Sequence, residues 1–149
     1  MVNLTKIAHK IIKNSSEIIY NDKGDKEYRV NGLLHRKDGP AIEKVNGDKF
    51  WYINNELHRK DGPAMILKNN GKFWFIDGEL HREDGPAVEY SDGDKYWYIN
   101  GKLHREDGPA VEYHNGDEEW YIRGHEIEHS PETWNQLVLD NKIDSIMSD

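Results

Sequence analysis

A period of 23 residues runs through this chain and limits what it can fold into. His35, His58, His81 and His104 stand 23 apart, and Trp51, Trp74, Trp97 and Trp120 keep the same step. So do Leu34, Leu57, Leu80 and Leu103, then Arg36, Arg59, Arg82 and Arg105. Asp38, Asp61, Asp84 and Asp107 follow, with Pro40, Pro63, Pro86 and Pro109. The result is four consecutive units with the signature Leu-His-Arg-x-Asp-Gly-Pro-Ala. Units this short cannot bury an apolar face alone, so stacked neighbours must share one.

The unit 77–99 carries its own punctuation. Asp77-Gly78 is a tight-turn pair, and Asn31-Gly32, Asn54-Asn55 and Asn100-Gly101 stand at equivalent places. Such pairs supply the positive φ of a type I′ hairpin. Residues 79–82 read as a short strand, Asp84-Gly85-Pro86 as a turn and residues 87–90 as a strand. Residues 91–94 turn again, and residues 95–99, rich in aromatics, read as the longest strand. Alternation along that strand separates Trp97 and Ile99 from Tyr96 and Tyr98. The Trp/Ile side, with the equivalents of Leu80 and Val88, is expected to be buried. The tyrosine side is expected to be available to a partner or to line a groove.

The ends break the pattern, as solenoid caps do. Leu4, Ile7, Ala8, Ile11 and Ile12 follow helical spacing. Ser130-Pro131-Glu132 is a helix start, and Trp134, Leu137 and Val138 give that helix an apolar face. The expected architecture is mainly β: an elongated antiparallel sheet of stacked 23-residue hairpin or meander repeats with a helix at each end. As a single repeat domain it divides into a helical cap over 1–16, a half-repeat over 17–30 and repeats over 31–53, 54–76, 77–99 and 100–122. A degenerate repeat and C-terminal cap fill 123–149. Each helix would cover an open sheet edge.

Composition narrows the function classes. Only 36% of the 149 residues are hydrophobic, but five Trp and eight Tyr supply large burial areas. There is no cysteine, which excludes disulfides, Cys-based zinc sites and thiol chemistry. No secretory leader or run of about 18 apolar residues is evident. A cytoplasmic protein with no membrane association is expected. The net charge of −8 argues against direct binding of nucleic acid or anionic lipid. That charge is uneven: residues 1–76 hold 14 Lys/Arg and 9 Asp/Glu, whereas residues 77–149 hold 6 and 19.

The 23-residue period, the run Tyr98-Ile99-Asn100-Gly101-Lys102-Leu103-His104 and the Asp92-Gly93 turn resemble MORN repeats of a divergent kind. MORN repeats carry Gly directly after the His, where this chain has Arg36, Arg59, Arg82 and Arg105. The resemblance covers 31–122 well and 17–30 and 123–130 in part. It implies stacked hairpins in a twisted antiparallel sheet and a scaffolding role through protein contacts. Repeats of this variant are also similar to ones in viral and phage proteins. That implies an inhibitor of a host factor, acting in the host cytoplasm.

Three motifs invite chemistry. His125-Glu126-Ile127-Glu128-His129 matches the zinc-binding pattern His-Glu-x-x-His, but its register matches the strand at Leu103-His104. Residues four apart in a strand lie about 13 Å apart, too far to share one zinc. The repeated His-Arg-x-Asp suggests a catalytic pair, yet four copies at identical spacing fit turn chemistry better. The third candidate is a partner-binding face made of Tyr90, Tyr96, Tyr98, Tyr113 and Tyr121 with Asp92, Asp94, Asp117, Glu118 and Glu119. Two readings of these tyrosines stay open, since they can equally cover the second face of a thin sheet.

The leading expectation is a non-catalytic inhibitor or scaffold whose protein partner has a basic surface, with no catalytic residue, no metal and no cofactor. One alternative is a small-molecule or nucleotide sponge that uses tyrosine stacking and the repeated Arg and His. The other is an acidic mimic of DNA.

Overall fold

In the computed structural model the described residues are 16–128 and Trp134. They form short antiparallel strands: β1 (Ser16–Tyr20), β2 (Lys26–Val30), β3 (Leu33–Leu34), β4 (Ile42–Glu43), β5 (Lys49–Phe50), β6 (Tyr52–Ile53), β7 (Glu56–Leu57), β8 (Met65–Leu67), β9 (Gly71–Phe73) and β10 (Phe75–Ile76). Then come β11 (Glu79–Leu80), β12 (Val88–Tyr90), β13 (Lys95–Tyr96), β14 (Tyr98–Ile99), β15 (Lys102–Leu103), β16 (Val111–Glu112), β17 (Glu118–Glu119), β18 (Tyr121–Ile122) and β19 (His125–Glu126).

The chain divides into two compact units. The first holds Met1–Asn69 with Trp74–Gly78 and the second holds Asn70–Phe73 with Glu79–Asp149. In the first, β1, β2, β4, β5 and β8 pair in that order, and β3 also pairs with β2. In the second, β9, β12, β13, β16 and β17 pair in order. Separate two-stranded hairpins, β6–β7 in the first unit and β14–β15 and β18–β19 in the second, hang beside these paths. The β-sheet expectation holds. The helical caps fall outside the described residues, except that Ser16 belongs to β1 rather than to the cap. Trp134 is buried, with its ring 4.6 Å from that of Trp120.

Turn chemistry creates the hairpins as expected. Asn54 and Asn55 sit at φ 52° and 71°, and Asn100 and Gly101 at 49° and 72°. Both positive values are those of a type I′ turn, whose twist matches its flanking strands. Arg123 occupies the same region at φ 47°, with Gly124 at φ 87° as the second turn residue.

The aromatic strand departs from expectation. It breaks at Trp51, Trp74, Trp97 and Trp120, and at Trp51 and Trp97 the backbone changes partners. The Trp97 N–H donates to the Ala110 carbonyl and the His104 N–H donates to the Trp97 carbonyl. Trp51 repeats this with Ala64 and His58. Residues before the Trp thus pair with the main path, and residues after it pair with the local hairpin. The alanines at the end of the signature are 0% exposed, and only a small side chain fits there.

Burial also departs from expectation. Val88 and Val111 are 4% and 1% exposed, and each lies directly opposite Tyr96. Residues directly opposite in an antiparallel pair share a face. The deeply buried valines therefore belong to the tyrosine side, while Trp97 is only half-buried.

The repeated arginine explains most of the signature. Arg105 Nε donates to Asp107 at 2.8 Å, and its Nη1 donates to the Pro109 carbonyl at 3.1 Å and to Glu112 at 2.7 Å. Its guanidinium lies over the Trp97 ring, 4.1 Å from the centroid. Arg36 repeats the set with Asp38, Pro40, Glu43 and the Tyr28 ring. A Cβ on Gly108 would lie 2.8 Å from the Arg105 Cζ, so the glycine of Asp-Gly-Pro clears room for the guanidinium.

Histidine links successive repeats. His81 Nδ1 lies 2.8 Å from Asn100 Oδ1 and accepts the Asn100 N–H at 3.2 Å. His35 meets Asn54, and His58 meets Asp77, at 2.8 Å each. The Arg123 N–H donates to His104 Nδ1. In each repeat the motif's histidine faces the next hairpin turn and its aspartate faces the arginine. The two groups of the supposed catalytic pair engage different partners.

Candidate partner-binding face

The central strands of the second unit place Phe73, Val88, Tyr96, Val111 and Glu119 in one cross-strand row. Tyr90 and Tyr113, two residues beyond the valines, share that face. The rings of Phe73, Tyr90, Tyr96 and Tyr113 meet edge to face in sequence, with centroids 5.4, 5.8 and 6.0 Å apart. Each such contact is worth about 0.5–1.5 kcal/mol beyond its buried area. The valines form the floor of this aromatic ladder, and the tyrosines above them stay half-exposed.

Tyr98 and Tyr121 lie outside the main path, in the hairpins β14–β15 and β18–β19. Tyr98 stands opposite Leu103, and Tyr121 stands opposite Glu126. Burial, then the neighbouring Tyr90, pushes the Tyr98 phenol above its ordinary range. Burial, then Glu119 and Glu126, does the same to Tyr121.

Acidic residues frame the ladder. The Tyr113 hydroxyl donates to Glu119 at 2.9 Å, which pushes the phenol up to about 12. Burial first, then Asp94, raises Tyr96. Asp92, Asp94 and Asp117 sit in the turns at the end of the strands. Glu118 separates from the group. It lies opposite Glu112, in the row Glu89, Lys95, Glu112 and Glu118 on the other face. Nine of the ten residues expected to form the site thus lie on the ladder, in the hairpins beside it or in its turns.

The turn aspartates have structural duties too. Asp25, Asp48 and Asp94 each accept a backbone N–H from the residue 20 positions on: Val45, Lys68 and His114. Asp94 also meets His114 Nδ1 at 2.8 Å, which raises the imidazole above its usual range, while the His114 backbone N–H and then this contact lower the carboxylate. Asp92, Asp94 and His114 offer three metal-ligand atoms within 4.8 Å of one another, the grouping of this kind among the described residues. That trio is one of these ties with a histidine added. In the zinc-like motif, His125 and Glu126 form β19, and His129 lies outside the described residues. Consecutive side chains of a strand point to opposite faces, unlike the one helical face that the zinc pattern requires.

A second feature escaped the sequence reading. Between successive Arg-x-Asp-Gly-Pro loops the sheet leaves open grooves. One, of about 700 Å³, is lined by Trp97, Ile99, His104 and the loops at 82–86 and 105–107. Its equivalent in the first unit, about 830 Å³, is lined by Trp51, Ile53, His58 and the loops at 36–40 and 59–61. The signal lay in the variable position of the signature, which is Lys37 and Lys60 early in the chain and Glu83 and Glu106 later. No family model matches the chain, and no curated protein matches it.

Proposed function

We propose that the protein is a non-catalytic repeat module that captures a protein partner with a basic surface. The aromatic ladder of the second unit would be the contact face, and the role would be inhibition or scaffolding. The observation that carries this reading is the run of edge-to-face rings, in which three half-exposed tyrosines continue from the buried Phe73 and are bordered by Asp92, Asp94, Asp117 and Glu119. Tyrosine combines contact area with a polar tip, and acidic borders speed encounter with a basic partner. The MORN-like signature agrees with a module that works through protein contacts. A nucleotide sponge finds less support, because Arg36, Arg59, Arg82 and Arg105 already spend their donors on Asp and on the Pro carbonyls.

The test is affinity capture from the native host extract at low and moderate salt, followed by kinetics on the protein recovered. Asp92→Lys with Asp117→Lys should slow association at least tenfold and flatten its salt dependence. Tyr96→Ser should speed dissociation. Unchanged kinetics in both variants would remove this face from the interface.

A further inference from the structure

The two grooves share a shape and differ in sign. In the first unit the loops bring two arginines and two lysines, Lys37 and Lys60, against two aspartates. In the second they bring two arginines against four carboxylates, because Glu83 and Glu106 replace the lysines. The arginines of the second groove are neutralised within their own loops. Arg82 is paired with Asp84 and Glu89, and Arg105 with Asp107 and Glu112. What remains for a visitor is Glu83 and Glu106, with side chains 87% and 66% exposed. Their carboxylates make long contacts, Glu83 to His81 at 3.7 Å and Glu106 to His104 at 3.5 Å. Below them lies an apolar floor of Trp97 and Ile99.

We infer that this groove of the second unit is a seat for a lysine-bearing segment of the partner protein. The aliphatic stem of a lysine covers Ile99 and the edge of Trp97, while its ammonium reaches Glu83 and Glu106. Lysine suits such a site because its stem is apolar and its head remains hydrated. The groove of the first unit has the same walls and floor but opposite surplus charge, so it rejects the same segment. The inference rests on the reading of a basic protein partner and gives that partner a second point of attachment.

The probe is an acetylated, amidated hexalysine peptide with a fluorescent label, titrated into the full chain at low ionic strength. Anisotropy reads affinity and calorimetry reads stoichiometry. One peptide per chain is expected. Glu83→Lys with Glu106→Lys should weaken binding at least tenfold, and Glu83→Gln with Glu106→Gln by a smaller factor. Glu56→Lys with Glu79→Lys, at exposed positions outside both the groove and the ladder, changes net charge equally and should weaken it less than threefold. Lys37→Glu with Lys60→Glu should raise the stoichiometry to two. Unfolding curves for each variant separate lost binding from lost fold. Equal weakening by the two Lys pairs, or a stoichiometry that stays at one in the Lys→Glu variant, would overturn the groove assignment. The captured partner tests the broader reading separately. If its kinetics respond to Asp92 and Asp117 but not to Glu83 and Glu106, the ladder stands and the groove falls.

Discussion

The two compact units repeat one plan and dress it differently. Where the second unit has Tyr90 and Tyr113, the first has Lys44 and Leu67. Lys44 Nζ lies over the Phe50 ring at 5.1 Å, whereas Tyr90 meets Tyr96 edge to face. Charge follows the same division, with Lys37 and Lys60 set against Glu83 and Glu106. Arg36, Arg59 and Arg105 hold their loops in both units through the same kinds of partner, an exposed aspartate and an aromatic ring. The positions that tie the loops together are thus shared even where they are exposed, and positions such as 37, 60, 83 and 106 diverge. This is the property expected of a scaffold whose specificity resides in surface substitutions.

The sharpest break in the repeat is Gly71, which stands where other repeats have Asp48 and Asp94. The aspartate tie is replaced by a backbone bond from the Ser91 N–H to the Asn70 carbonyl. At φ 152°, a Cβ on Gly71 would lie 2.3 Å from the Glu89 carbonyl oxygen. Gly71→Ala should therefore destabilise by about 3 kcal/mol or more, since backbone must move to relieve the clash. Gly116 has φ 91° but open space around it, so Gly116→Ala should cost only about 1–2 kcal/mol of backbone strain. Urea denaturation of the two variants checks the difference. Equal losses would mean that the Gly71 strand relaxes freely.

Next in size is the arginine comparison. Arg59 and Arg105 both hold an aspartate, a proline carbonyl and an indole face. Of these two only Arg105 also binds a glutamate, Glu112, because the residue seven positions after Arg59 is Ile66. Arg105→Ala should cost about 1 kcal/mol more than Arg59→Ala, the value of one charged hydrogen bond at a part-exposed site. The pair Arg105→Ala with Glu112→Ile should close that gap. A gap that persists in the double variant would assign it to Trp97 packing.

The repeats, the I′ turns and the antiparallel β character were legible because each rests on local chemistry that recurs at a fixed step, whereas the meander within a unit was not, since β11 pairs with β10 and not with β12. Asn100-Gly101 announces its turn without reference to anything distant. Partner exchange at Trp97 was not legible, because alternation of side chains says nothing about which strand accepts the Trp97 N–H. The buried side was misassigned for the same reason: Val88 and Tyr96 share a face through pairing between strands, which lies beyond the unit's own pattern. The ladder was half legible. Its tyrosines stood out by composition, but grouping Glu118 with Glu119 overlooked that neighbours in a strand point to opposite faces. The grooves went unnoticed because the signature's variable position carries no structural rule, and its change from Lys to Glu gains meaning only once the loops are seen to line a common recess.

A smaller effect separates the ladder from the first unit by pH. Tyr113 is raised to about 12 by its hydrogen bond to Glu119. An acid whose folded pKa exceeds its unfolded value, about 10 for tyrosine, contributes stability that is intact below pH 10. That contribution disappears as pH rises toward 12. Absorbance titration of the phenols should show several tyrosines ionising late with Tyr113 the last of them, and Glu119→Gln should bring Tyr113 back toward 10. A titration unaffected by that substitution would separate Tyr113 from Glu119 in solution.

The smallest effect concerns the turn ties. Asp48 and Asp94 both accept a backbone N–H, and both carboxylates are lowered by their hydrogen bonds. Each therefore contributes stability above the ordinary carboxylate range and loses it as pH falls through the lowered value. Asp94 alone adds His114, whose imidazole it raises. That second contribution is present below the ordinary histidine range and fades as pH rises through the raised value. The Asp94 tie should accordingly be strongest between the ordinary carboxylate range and the ordinary histidine range, while the Asp48 tie should hold a constant value up to alkaline pH. Asp94→Ala should remove a pH-dependent slope around neutrality from the unfolding curve, and Asp48→Ala should leave that slope in place. Both groups of the Asp94–His114 pair are near the surface, so the slope is shallow and shrinks with added salt. Identical slopes in the two variants would show that His114 does not distinguish the second unit's turn from the first's.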